Sequence, residues 1–262
     1  MDIDEILRRQ FEIDTCVPSG EEFPVHIAQA GNFSSDARRY KGIAEEYKFI
    51  VYGDDAYICA GSESLDRIRE LYGNRKPELM FKYPNIKELE KILEDDGYVI
   101  AEIQECFTPD IYIFMDEDGH IAPEFRYTED DGEGYDFREL DGILFKKIKN
   151  EDRFPHALVE GDYEKPKKGM ALLSPQGEVC GVAGAYKEGR VLWQIGVDVL
   201  PSFRNLGLGA ELVQRLTVML LKNGELPYYG TNIGNIISKR TALSAGYVPA
   251  WSELFIKKKS DR

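Results

Sequence analysis

A chain of 262 residues can build one large domain or two small ones, with enough core to need no covalent staple. Its formal net charge of −14 repels nucleic acid and anionic lipid, and no long basic stripe offsets that field, so neither is expected as a partner. Apolar residues make up 43% of the chain, which places it among packed globular proteins rather than disordered ones. Cys16, Cys59, Cys106 and Cys180 form no close pair, so neither a zinc site nor a redox dithiol is expected, and no metal. The opening residues lack the apolar core of a signal peptide, and no segment approaches the ~20 apolar residues of a membrane span. The expectation is a cytoplasmic, reduced protein.

Residues 2–11 read as a helix. Strands at 48–52 and 56–60 flank Gly53-Asp54-Asp55, a hairpin signal. Ser62 is placed to cap a helix running to Tyr72, with Glu63 and Asp66 near its positive end. A helix at 86–95 and a strand at 98–107 follow. The pattern changes near residue 108, dividing the chain into 1–107 and 108–262. Strands at 111–115 and 121–128 flank Asp118-Gly119, and 136–149 reads as a helix. Three closely spaced antiparallel strands are expected at 169–173, 179–186 and 191–199. Alternation follows: helix 208–221, strand 227–231, helix 235–245 and strand 248–256, with Asn223-Gly224 and Gly246 as helix stops. The acidic tracts at 116–119 and 130–132 lack the first and closing ligands of a calcium loop.

The chemistry concentrates at Arg204-Asn205-Leu206-Gly207-Leu208-Gly209-Ala210, a turn between an expected strand and an expected helix. Such a turn aims free N–H groups and the positive end of a helix dipole at one point, which suits a phosphate. Three phosphate motifs compete. A P-loop requires Gly-Lys-Ser/Thr, whereas Gly209 precedes Ala210-Glu211. A dinucleotide fingerprint requires a third glycine and a buried parallel strand, and the strands here read as antiparallel hairpins. The third fits. Val199-Leu200-Pro201-Ser202-Phe203-Arg204-Asn205-Leu206-Gly207-Leu208-Gly209 resembles the cofactor motif of the GNAT superfamily of acetyl-CoA-dependent N-acetyltransferases. Asn235 to Tyr247 resembles the second motif of that superfamily, in which an asparagine opens a helix ending in glycine-aromatic.

The resemblance covers 108–262 and implies an α+β fold: a mixed, mostly antiparallel sheet, splayed open and flanked by helices. The additional N-terminal α/β portion would be a substrate cap or a degenerate lobe of the same fold. Acetyl-CoA is the implied co-substrate and a small-molecule amine the implied acceptor, attacking directly in a ternary complex. The pyrophosphate would rest on the amides of Arg204 through Ala210, that is Arg204, Asn205, Leu206, Gly207, Leu208, Gly209 and Ala210. The pantetheine would follow the strand edge at Val197 and Val199, with Asn235 and Ser238 opposite. Gly196 would mark the bulge that opens the strands, and the Val197 N–H would face the oxyanion.

Deprotonating an amine of pKa about 10.4 at pH 7 costs roughly 4.6 kcal/mol, against roughly 2 kcal/mol of mismatch for a departing thiol of pKa about 8.5. The base therefore matters more than the acid, and the sequence departs from the family pattern at both. Ala242 stands where many members carry a tyrosine acid, so Tyr228, Tyr229 or Tyr247 would have to reach the sulfur instead. Leu192-Trp193-Gln194 offers no carboxylate where some members carry a glutamate base. Asp198 and Glu253 are the candidate bases; His156 and His26 read as structural or surface groups. Trp193, Tyr228, Tyr229 and Trp251 are the large aromatics nearest the cleft, placed either to pack in the core or to stack on a substrate or hold a cation over their faces. These departures keep one alternative open, a catalytically silent acyl-CoA-binding module for sensing or assembly.

Overall fold

The computed structural model describes residues 1–19, 24–122, 134–141, 144, 148, 152–158 and 168–261. Helix α1 spans Ile3–Thr15 and starts on Asp2, whose carboxylate accepts from the Glu5 N–H at 3.1 Å. Strands β1 (Val25–Gln29), β2 (Lys48–Tyr52) and β3 (Asp55–Ala60) follow. Helices α2 (Leu65–Tyr72) and α3 (Tyr83–Asp95) lead into the long strand β4 (Tyr98–Pro109). Then come β5 (Asp136–Glu139), β6 (Lys168–Leu173), β7 (Val179–Glu188) and β8 (Leu192–Val199). Helix α4 (Leu208–Lys222), strand β9 (Leu226–Asn232), helix α5 (Ile236–Ser244) and strand β10 (Tyr247–Lys258) complete the order.

The ten strands of the described residues share one sheet in the order β1-β3-β2-β10-β4-β9-β8-β7-β6-β5. The β1–β3 and β8–β9 pairs are parallel and the others antiparallel. Strand β4 lies between β9 and β10, and β10 lies between β4 and β2. Strands from both sides of residue 107 therefore interleave. Among the described residues, no helix is long and apolar enough to cross a membrane.

Side-chain alternation divides the sheet's surroundings. On one face, α4 and α5 pack against Ala183, Ala185, Trp193 and Ile195, while α2 and α3 cover Phe49, Ile58 and Leu254. On the other, α1 packs Leu7 and Phe11 against Ile50, Tyr57, Leu192, Tyr228 and Trp251. The segment 152–158 shares that second face, with Phe154 and Ala157 on Val182. In α4 the apolar positions Leu212, Leu216 and Leu220 are fully buried. Each contributes about 1.5–3 kcal/mol. That outweighs the few tenths of a kcal/mol forgone at Gly207, a helix N-cap with no side-chain bond, so packing sustains the helix start.

Several sequence expectations need correction. Residues 136–139 form strand β5, paired with Met170–Leu173 of β6, rather than the start of a helix. Further along 136–149, Leu144 and Ile148 are helical, and 142–143, 145–147 and 149 lie outside the described residues. Tertiary pairing at a sheet edge overrides a four-residue propensity. In place of a strand at 111–115 there is a 3₁₀ turn, Ile111–Ile113, and a single bridge between Met115 and Ile121. Of the expected strand at 121–128, residues 123–128 lie outside the described residues. Strand β1 has no counterpart in the sequence reading. Helix α2 begins at Leu65, after Ser64, rather than after Ser62.

Candidate active site

The sheet opens where β8 meets β9. Their parallel ladder runs only through Leu192↔Leu226, Trp193↔Pro227 and Gln194↔Tyr228. Beyond it, β9 pairs with β4 through Tyr229–Asn232, while β8 stays on β7 to Val199. The Leu226 N–H donates to Val191 O, so strand alternation points the main-chain groups of Ile195, Val197 and Val199 into the gap. Across it, the Ile233 N–H donates to Ile103 O, which leaves Tyr228, Gly230 and Asn232 facing β8. At the crotch, a Cβ on Gly230 would stand 3.0 Å from Gln104 Oε1 and 3.1 Å from Gln194 Nε2.

The register between β7 and β8 is continuous past Gly196, so this glycine does not mark a bulge. A different constraint selects it: a Cβ there would lie 1.9 Å from the His156 carbonyl oxygen. The 152–158 segment rests directly on the strand at this point. Asp198, two residues on and on the same face, holds it there. Its Oδ2 accepts from the N–H groups of His156 (2.7 Å) and Ala157 (2.9 Å), and its Oδ1 lies 2.6 Å from His156 Nδ1.

The 204–210 turn closes the wide end of the gap. Asn205 and Gly207 take left-handed φ angles of 65° and 80°, and a Cβ at Gly207 would meet none of the described residues within 4 Å. A Cβ on Gly209 would contact only Val199 Cγ2 (3.5 Å) and Thr241 Cγ2 (3.9 Å), so the first turn of α4 stands between β8 and α5. Leu206, Gly207 and Asn235 are exposed; Gly209, Ala210 and Ser238 are half-buried. The Asn235 side chain caps α5 by accepting from the Ser238 N–H at 3.1 Å. Arg204 folds back so that Nε donates to Val199 O at 2.8 Å. Among the described residues, the arrangement offers a helix N-terminus with no capping side chain, two glycines that permit close approach and a strand edge that pairs with no other strand beyond Gln194. It suits a phosphorylated chain that can also pair with the edge.

The aromatics expected beside the cleft belong to the core. Trp193 packs toward α4, with Lys168 Nζ 5.2 Å from its ring centre. Trp251 packs against Phe11 and Tyr228. Tyr247 bonds to Thr217 inside the core and Ala242 is fully buried. Tyr229 is buried on the α4 face, where burial raises its pKa and a bond with Ser238 opposes the rise. His26 sits on β1, stacked on Tyr57 at the far end of the sheet.

Glu253 lies away from the gap, in a buried ion cluster. Arg38, 1% exposed, donates through Nε to Asp14 Oδ2 at 2.6 Å and through its terminal nitrogens to both oxygens of Glu253 at 3.1 and 3.3 Å. Its own N–H also donates to Asp14 Oδ1 at 2.7 Å. The Glu253 carboxylate is thus taken up by a guanidinium, and Cys106 Sγ lies 3.5 Å from it. Tyr228 connects the cluster to Glu188 and to the Tyr40 hydroxyl. Arg38 and Tyr40 apart, these positions are far from one another in sequence, so no local pattern announces the cluster.

Burial pushes the Glu188 carboxyl up to about 7 from 4.5, against the opposing hydrogen bond from Tyr228. A folded pKa above the unfolded one gives stability that is intact below pH 4.5 and lost as pH rises through 7. The loss amounts to about 3 kcal/mol. Glu188→Gln keeps an acceptor for Tyr228 and removes the titration. Thermal denaturation should therefore find this variant several degrees more stable than wild type at pH 8, with the two converging near pH 4.5.

The family model described as acetyltransferase (GNAT) family matches residues 122–247. Among solved structures, the chain is similar to a GCN5-related N-acetyltransferase-like protein from Streptococcus suis, at 18% identity and a TM-score of 0.44, covering 66% of this chain and 68% of that one. It is similar to a GCN5-related N-acetyltransferase from Kribbella flavida at 16% identity and a TM-score of 0.46, covering 65% and 63%. An aminoglycoside N-acetyltransferase in complex with CoA matches at 16% identity and a TM-score of 0.35, covering 44% and 89%. No curated protein matches in sequence. The matched segment holds the 204–210 turn, the parted strands and helix α5. Residues 122–247 therefore match as an acetyltransferase (GNAT) domain, which makes the protein an acyltransferase.

Proposed function

We propose that this protein moves an acetyl group from acetyl-CoA to the amine of a small molecule by direct attack in a ternary complex. One observation carries the reading: the β8–β9 ladder ends at Gln194 and Tyr228, and the gap beyond it ends at an N-terminus of α4 made accessible by Gly207 and Gly209. The pyrophosphate would lie on the amides of 204–210, beside the charge of Arg204. The pantetheine would pair with the edge at Val197 and Val199, where Arg204 must release the Val199 carbonyl. Asn235 and Ser238 would flank the opposite side. The Val197 N–H would stabilise the tetrahedral oxyanion, a contribution typically about 10²–10³ in rate. Glu253 is omitted as a base because Arg38 holds its carboxylate.

Calorimetry with acetyl-CoA tests the cofactor half of this reading, and thiol release across a panel of amines tests the transfer. Absence of binding would remove the proposal. Gly207→Val places a branched side chain in the space the diphosphate needs and at a left-handed φ. Its acetyl-CoA affinity should fall at least tenfold, whereas unchanged affinity would move the phosphate elsewhere.

A further inference from the structure

Building on the acetyl-transfer reading, we propose that His156 is the general base for the acceptor amine and that Asp198 positions it. Both oxygens of Asp198 are engaged, Oδ2 by two main-chain N–H groups and Oδ1 by the imidazole. Asp198 could take a substrate proton only by surrendering one of these bonds. The imidazole differs. With Nδ1–H donating to Asp198, the lone pair sits on Nε2. The His156 side chain is 77% exposed, so an incoming amine can reach it.

The residue is also located with unusual firmness for an exposed group. Its N–H is bound to Asp198, its carbonyl accepts from the Tyr186 hydroxyl at 3.2 Å and that same carbonyl rests against Gly196. Gly196 lies between Ile195 and Val197, whose main-chain groups face the open edge. His156 is therefore held beside the site assigned to the thioester, on the sheet face opposite α4. Among the described residues, the titratable groups bonded to it are Asp198 from β8 and Tyr186 from β7. On its own segment, Arg153 pairs with Glu178 at 3.1 Å.

The step balances as follows. The amine nitrogen attacks the thioester carbon and a C–N bond forms. The amine proton passes to Nε2, and the carbonyl oxygen becomes an oxyanion at the Val197 N–H. Collapse breaks the C–S bond, and the departing thiolate takes a proton from the imidazolium. The products are the acetylated amine and CoA.

The test compares wild type, His156→Gln, His156→Ala and Asp198→Asn. Acetyl-CoA affinity is read by calorimetry, and thiol release is followed over pH with the fastest amine of the panel. Asp198→Asn keeps an oxygen for the main-chain N–H groups and so preserves the segment. The expected result is acetyl-CoA affinity within about twofold of wild type. Turnover should fall about 10²–10³-fold in His156→Gln and roughly tenfold or more in Asp198→Asn. The acid limb of the pH profile should vanish in His156→Gln, and added imidazole should raise the rate of His156→Ala. Wild-type turnover with an intact limb in His156→Gln would overturn the assignment. So would a loss of rate matched by a loss of acetyl-CoA affinity, which marks a structural role. Failure of the wild type itself to bind acetyl-CoA would sink the acetyl-transfer reading, and the base with it.

Discussion

Arg38→Met is expected to destabilise the protein by about 3–5 kcal/mol at neutral pH, the usual cost of stripping one partner from a buried ion cluster. The guanidinium lies between Asp14 and Glu253, both buried, and desolvation by itself would lower its pKa. The two carboxylates overcome that pressure and hold its pKa well above the usual value. Removing the cation leaves two buried acids, with Lys48 as a nearby cation. Burial already lowers the pKa of Lys48, and its ammonium donates to the Arg38 carbonyl at 2.6 Å. Methionine preserves much of the volume, so a cavity contributes little. Urea denaturation measures the loss. Adding Asp14→Asn and Glu253→Gln to the same chain should recover a large part of it, since the neutral amides no longer need a counter-ion. A loss below about 1 kcal/mol would mean that water already compensates these acids.

The second large effect is expected from Gly196→Ala. One methyl group there would lie 1.9 Å from the carbonyl oxygen of His156 and 2.7 Å from its carbonyl carbon. These are main-chain atoms, so no rotamer change relieves the contact. The 152–158 segment has to lift, which costs about 1–3 kcal/mol of overpacking and weakens the three bonds to Asp198. Acetyl-CoA affinity should hardly change, because the 204–210 turn depends on none of these contacts. Turnover should drop by about 10² or more if His156 takes the amine proton. Melting temperature, calorimetry and thiol release on the one variant separate these effects. An unimpaired rate would show that the position of 152–158 is irrelevant to the chemistry.

Local chemistry made much of this molecule legible before its coordinates. The glycine turn at 204–210, the stops at Gly224 and Gly246 and the antiparallel run before Val199 follow from short-range rules, and each recurs in the fold. What escaped depends on distance along the chain. Val25–Gln29 is an edge strand of five residues whose parallel partner, β3, supplies its definition. Asp136–Glu139 carries no strand signature and becomes one by lying on β6. The reading of Gly196 failed for a similar reason: the group that forbids a side chain there is a carbonyl 40 positions earlier. Glu253 looked available to substrate because nothing near it in sequence hints at Arg38. His156 looked incidental because its partner, Asp198, lies 42 positions away.

The placement of β10 has a consequence for biosynthesis. This strand trails β4 by well over a hundred positions and β2 by nearly two hundred, yet it fills the slot between them. While the polypeptide is still emerging from the ribosome, the early strands β2 and β4 expose hydrogen-bonding edges with no native occupant. Closing so long a loop delays the final cooperative step, because its entropy must be met before the pairing energy arrives. Nascent chains of this protein should accordingly be prone to mispairing until the last strand docks, and they should refold slowly from denaturant.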